Sequence, residues 1–164
     1  MATALLKEDQ GLVNITDFDG NTPLIIAAQG NHGPMVSILL ACEGAMVNHQ
    51  NHKGQTALHM PDGSSAILSN TGSQDCYDAL LRQTSIQVDL QDDLGKTPLM
   101  VAVALGDMIK ANALLREGAS VESITHEGHS VLHAASTVDM LKVLLDERPE
   151  VLDLAFQTDT GCFI

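Results

Sequence analysis

Aromatic residues are nearly absent from this chain: it has no Trp, and Tyr77 with three Phe makes up 2% of its 164 residues. A core must therefore come from Leu, Val, Ile, Ala and Met, a palette that suits closely approaching small helices. Basic residues are also scarce. Eight Lys and Arg against 21 Asp and Glu give a formal charge of -13, which repels a phosphate backbone and argues against direct nucleic-acid binding. A basic protein partner is easier to accommodate, although excess acid also serves solubility. Cys42, Cys76 and Cys162 are odd in number and lack CxxC spacing, so neither a disulfide framework nor a zinc ribbon is indicated. That pattern predicts a reduced, intracellular setting, cytoplasmic or nuclear.

Other absences exclude further classes. The opening MATALLKEDQ lacks the cationic start and apolar run of a signal peptide. No apolar stretch approaches a membrane span, which predicts no direct membrane insertion. There is no GxSxG, GxGxxG or GxxxxGK[ST], and Ser64-Ser65 have no His or acid at a fixed offset. Catalytic residues and cofactors are therefore not expected, and the chain reads as a non-enzyme.

What is present is a period. GNTPLIIAAQGNH from Gly20 and GKTPLMVAVALGD from Gly95 are versions of one phrase, with weaker echoes at GQTALHM from Gly54 and GHSVLHAAS from Gly128. Gly20, Gly54, Gly95, Gly128 and Gly161 stand 34, 41, 33 and 33 residues apart. Other positions keep phase: Thr22, Thr56, Thr97 and Ser130; Leu24, Leu58, Leu99 and Leu132; Val13, Val47, Val88, Val121 and Leu154. Leucine pairs recur at Leu5-Leu6, Leu39-Leu40, Leu80-Leu81, Leu114-Leu115 and Leu144-Leu145. A period near 33 marks a solenoid whose units cannot bury their apolar faces alone.

Local chemistry defines the unit. Thr before Pro is an N-cap followed by a residue preset for the first turn, so helices should start at Thr22-Pro23 and Thr97-Pro98. Ala27, Ala28, Ala102 and Ala135 let paired helices approach closely. Asn31 and Gly106 tolerate the left-handed backbone of the turn between them, and Gly44-Ala45 and Gly118-Ala119 should end the second helices likewise. Tight turns follow at 17–20, 51–54, 92–95 and 125–128.

These residues resemble the ankyrin repeat, whose pattern runs D-x-x-G-x-T-P-L-H-x-A-A, then G-H, V-x-x-L-L and G-A-x-V-N. The third repeat, GKTPLMVAVALGDMIKANALLREGASVE, fits without a gap. The resemblance implies an all-α solenoid of stacked helix-turn-helix units joined by short β-hairpin-like loops. The array over 1–164 divides into a half repeat (1–16), repeats at 17–50, 51–91 (irregular), 92–124 and 125–157, and the start of another at 158–164. Apolar Phe163 and Ile164 stand where a terminal repeat would be polar, which predicts a fragment of a longer array or an end that packs on something else.

The second repeat departs from the pattern. Pro61 and Asp62 replace two alanines and GSSAILSNTGSQD adds about seven residues, so its first helix should be short or displaced, with a polar excursion over 61–75. That excursion is either a recognition element or a tolerated surface insertion. In the fourth repeat the stretch between Ala135 and the leucine pair is three residues short, and Pro149 should start a turn beyond the second helix.

The histidines invite a metal reading. Helix initiation near Ser130 leaves His126 on a turn away from His133, and His52 stands on the equivalent turn, so no metal site is expected. His59 and His133 occupy the His of TPLH, for which the resemblance implies a structural role, tying the helix start to neighbouring backbone. Cys42 reads as a boundary residue, and Met35, Met46, Met60, Met100, Met108 and Met140 as core filling.

The resemblance further implies a non-catalytic scaffold that binds a protein through its turn tips and concave helix face, or else a regulatory segment of a larger enzyme, channel or ubiquitin-ligase complex; a monomer is expected unless the chain ends associate. By phase, the partner-binding positions are Phe18, Asn21, His52, Gln55, Asp93, Lys96, His126 and His129. Phe18 either packs on the preceding half repeat or anchors a partner. Asp19, Asp92, Asp93 and Glu127 make the edge acidic, which either attracts a Lys- or Arg-bearing partner or simply keeps the face solvated. Two histidines on one edge predict an affinity that changes at mildly acid pH.

Overall fold

The computed structural model describes residues 12–60, 73–135 and 137–147. The expected half repeat at Leu5-Leu6, most of the 61–75 excursion, Pro149 and the 158–164 start lie outside them.

Among the described residues the secondary structure is helical, with one isolated antiparallel bridge, Ile124 to Ser130. A one-turn 3-10 helix, Leu12–Asn14, is followed by α1 (Pro23–Gln29) and α2 (Gly33–Leu40). A second 3-10 turn, Ala57–His59, precedes α3 (Ser73–Leu81), and α4 (Pro98–Leu105) pairs with α5 (Met108–Arg116). The series closes with α6 (Val131–Ala134) and α7 (Val138–Glu147).

The start signals act as the sequence predicts. Thr22 and Thr97 sit in extended backbone and accept from the Ile25 and Met100 N–H groups, each at 3.4 Å, with Pro in the first turn. Each hydroxyl satisfies one of the donors that a helix start leaves without an intrahelical partner. Asn31 and Gly106 turn the chain at φ 53° and 74°. Asp107 then caps α5 by accepting from the Lys110 N–H at 3.0 Å. Gly118 follows α5 after the single capping residue Glu117, whereas α2 stops at Leu40 and reaches Gly44 only through a further turn.

First helices stack on first helices, the Ala57–His59 turn lying between α1 and α4, and second helices stack in the order α2, α3, α5, α7. Ala27, Ala28 and Ala102 are buried where the paired helices meet, as is the first leucine of each pair at Leu39, Leu80, Leu114 and Leu144. Each leucine so placed contributes about 1.5–3 kcal/mol of hydrophobic stabilisation. The methionines divide differently from the expectation. Met60, Met100 and Met140 are buried, but Met35 and Met46 are exposed and Met108 is half-buried. Met35 lies in the first turn of α2 and Met46 in the connection after it.

The second repeat shortens as Pro61 requires. Its first helix is the single turn Ala57–His59, after which Met60 is extended at φ -63°, ψ 130°, the conformation imposed on a residue that precedes proline. The fourth repeat shortens too, to the four residues Val131–Ala134.

Side-chain amides tie one unit to the next. The Asn14 carbonyl accepts from Met46 N–H at 2.9 Å while its NH2 donates to the Gly44 carbonyl at 2.7 Å. Asn48 repeats both bonds on Gln87 and Ser85. At the third position Asp89 accepts from Ser120 N–H at 2.8 Å, and a carboxylate has no donor with which to copy the second bond.

Candidate functional site

The turns at the edge of the array are fixed by their first residue. The Oδ1 of Asp17 accepts from the Asp19 and Asn21 N–H groups, that of Asn51 from Lys53 and Gln55, and that of Asp92 from Leu94 and Lys96. Thr125 accepts one such bond, from His129. The Asn21 amide, followed by the Asn21 N–H, holds the Asp17 carboxyl below its ordinary pKa of 3.8.

Each turn is stitched to the next through backbone. His52 N–H donates to the Asp19 carbonyl, Asp93 N–H to that of Lys53 and His126 N–H to that of Leu94, at 2.9, 3.0 and 3.1 Å. The side chains of Phe18, His52, Asp93 and His126 consequently leave the array from equivalent, exposed positions. Phe18 is 103% exposed, so no described residue packs over it.

The remaining candidate positions divide. Asn21 and Gln55 are half-buried and engaged: the Asn51 NH2 donates to Asn21 Oδ1 at 2.8 Å and to Gln55 Oε1 at 3.5 Å. The Asn21 bond joins neighbouring turns, whereas that of Gln55 lies within its own turn. Asp92 departs from the expected acidic edge because it is 7% exposed, its carboxylate turned inward to hold its own turn. Asp19, Asp93 and Glu127 remain exposed.

Lys96, His126 and His129 come together around a concave groove of about 550 Å³ between the third and fourth repeats. Leu94, Met100, Ala104 and Ala134 give it apolar walls, and Glu127 and His133 complete its rim. His129 Nδ1 lies 3.5 Å from Glu127 Oε2, and the His129 and His133 rings are 5.4 Å apart, centroid to centroid. Of the lining, sequence phase gave Met100 and His133 structural roles and did not single out Leu94, Ala104 or Ala134; an apolar Leu94 beside the turn glycine Gly95 was the available signal. Among the described residues no three His, Cys, Asp or Glu side chains come close enough to hold a metal ion.

The TPLH histidines bind backbone. The Thr56 N–H and hydroxyl face His59 Nδ1 at 3.1 and 3.0 Å, which leaves the ring proton on Nε2 to donate to the Lys96 carbonyl at 3.0 Å in the next repeat. His133 Nδ1 meets the Ser130 N–H and hydroxyl in the same way. Burial first, against opposing contributions from the Lys96 carbonyl and Asp92, lowers the His59 pKa below its ordinary 6.5. The unfolded chain therefore binds a proton that the folded chain refuses. Stability contributed by His59 is complete above about pH 6.5 and is lost as pH falls toward the folded value, at up to about 1.4 kcal/mol per pH unit. Denaturant melts across this range should show that slope, and His59→Asn should flatten it; an unchanged slope in the variant would assign it to another group.

Capped helix pairs, stacked in register and stitched turn to turn, define a helical repeat solenoid. The chain belongs to the ankyrin repeat family, whose model for three copies of ankyrin repeats matches residues 1–64 and 64–153. It is 34% identical over 128 residues to the mouse nuclear factor NF-kappa-B p105 subunit, a stretch covering 76% of this chain and 12% of that protein. It is 33% identical over 123 residues to the Arabidopsis thaliana E3 ubiquitin-protein ligase KEG, covering 73% and 7%. To the Caenorhabditis elegans homologue of transient receptor potential cation channel subfamily A member 1 it is 29% identical over 160 residues, covering 80% and 13%. The chain thus spans 13% or less of the length of each of these relatives. Ankyrin repeats generally mediate protein–protein interaction and are generally non-catalytic. No described helix is long and apolar enough to cross a membrane.

Proposed function

We propose that this chain is a non-catalytic scaffold that binds a partner protein along its turn edge and adjoining concave groove. The supporting observation is the row of exposed side chains at Phe18, His52, Asp93 and His126, set at equivalent positions by a continuous backbone ladder. A fully exposed Phe is the kind of rigid apolar side chain that anchors an interface. Exposed Asp19, Asp93 and Glu127 favour approach by a Lys- or Arg-bearing partner. The setting that fits this role is intracellular, cytoplasmic or nuclear, with the array acting as a monomer.

Partner capture from source cells tests the reading. A chain carrying Phe18→Ala, His52→Ala, Asp93→Ala and His126→Ala should melt as the parent does, because these side chains are exposed, and should lose the partner. Retention of the same partner would overturn the edge as the binding surface.

A second reading is favoured by the small share that the chain spans of its relatives: the array is a regulatory segment of a larger protein. A native mass well above 17.4 kDa, with the array docked on the remainder, supports that reading; a native protein of this mass rejects it.

A further inference from the structure

The layer of second helices carries another groove, of about 820 Å³, between α3 and α5. Leu81, Ile86, Val88 and Ala113 supply the apolar part of its lining, with Ile109 standing 52% exposed beside them. Arg82 and Arg116 flank it. They are two of the three arginines in a chain of charge -13, and they hold equivalent places, directly after Leu80-Leu81 and Leu114-Leu115. Both are exposed, and among the described residues neither guanidinium enters an ion pair.

A cation at a helix C-terminus complements the helix dipole, and that alone would account for one arginine at each end. It leaves unused the planar fork of donors that distinguishes arginine from lysine and matches carboxylates. Asp78 and Glu117 share the rim without pairing to either arginine. The acids of the turn edge belong to the turns that precede first helices, whereas this groove is lined by two second helices and the connection after α3.

We propose that this groove docks an acidic peptide segment of a partner protein, with an apolar side chain seated over Ile109 and Val88 and flanking carboxylates on Arg82 and Arg116. Neighbouring packed helices lie about 8–10 Å apart, which sets the approximate separation of the two carboxylates. The site is independent of the turn edge and opposite to it in charge preference, so one array can hold two segments of opposite sign.

Fluorescence anisotropy with two labelled peptides tests this directly: Gly-Glu-Leu-Ile-Leu-Glu-Gly, and the same sequence with Lys for each Glu. The acidic peptide should bind saturably and the basic one should not. Arg82→Gln and Arg116→Gln should each weaken the acidic peptide about tenfold, the loss expected for a charge-assisted pair. Glu117→Gln should tighten it, and Phe18→Ala with His126→Ala should leave it unchanged. Absence of acidic-peptide binding, equal binding of both peptides, or indifference to both arginine substitutions would overturn the proposal. Unchanged melting of the arginine variants confirms that any loss is local.

Discussion

Lys110→Ala is expected to lower the unfolding free energy by about 3–4 kcal/mol, a large effect for a lysine in a polar-looking helix. Lys110 is 2% exposed. Its Nζ donates to the Met60 carbonyl at 2.8 Å and to Tyr77 Oη at 2.9 Å, and lies 4.3 Å from the centroid of the Tyr77 ring. The Tyr77 hydroxyl donates to the same carbonyl. The geometry traces back to Pro61. At the equivalent place in the first repeat, Ile26, the carbonyl is satisfied by the Gly30 N–H within a regular helix. In the second repeat the helix stops after one turn, and buried Met60 takes donors from Lys110 and Tyr77 instead. Lys110→Met retains the buried stem and removes the ammonium, so it should cost less, about 1–2 kcal/mol. Denaturant unfolding of both variants measures the difference. If Lys110→Ala unfolds as the parent does, the amine is not what holds Met60.

Gly95→Ala should destabilise by about 3 kcal/mol, while Gly106→Ala costs only about 1 kcal/mol. Both glycines are left-handed, at φ 77° and 74°, so the backbone penalty is shared. The surroundings differ. A Cβ on Gly95 would stand 2.7 Å from the His126 nitrogen and 3.0 Å from Thr125 Cα, whereas at Gly106 nothing lies within 4 Å. Besides the His126 ring, the atoms obstructed at Gly95 are backbone and cannot swing aside, and the His126 N–H is the one that donates to Leu94. Relief of the clash therefore breaks the stitch between the third and fourth turns. Equal melting shifts for the two variants would show that the approach of neighbouring turns is not the constraint.

The sequence and structure agree where local chemistry repeats. Thr-Pro starts, left-handed turns and leucine pairs each act within a few residues, so phase was enough to place α1, α4 and the turn edge. Phase also predicted the shortened first helix of the second repeat, since Pro61 acts on its immediate neighbour. It could not supply the compensation, because Tyr77 and Lys110 lie 17 and 50 residues from Met60. A lysine in MIKANALLR looks like a solvated residue until its partners are known. Asp92 was misread for a related reason: it has the charge of an edge residue but spends its carboxylate on its own turn. Arg82 and Arg116 stood in phase after the leucine pairs, yet only the groove between them gives that repetition a meaning.

The backbone ladder along the turns bears on how such a chain can change in evolution. The interval from Gly54 to Gly95 is seven residues longer than the preceding one, 41 against 34. Even so, Asp93 N–H meets the Lys53 carbonyl at 3.0 Å, matching the ladder bonds on either side. Register is thus set at the edge and by the side-chain amides, not by the number of residues within a unit. Extra chain costs only a logarithmic closure entropy, about 0.6 kcal/mol for each doubling of a flexible loop. The interior of a unit is consequently free to gain sequence, and a new surface can be tried there while the turn-to-turn ladder is kept.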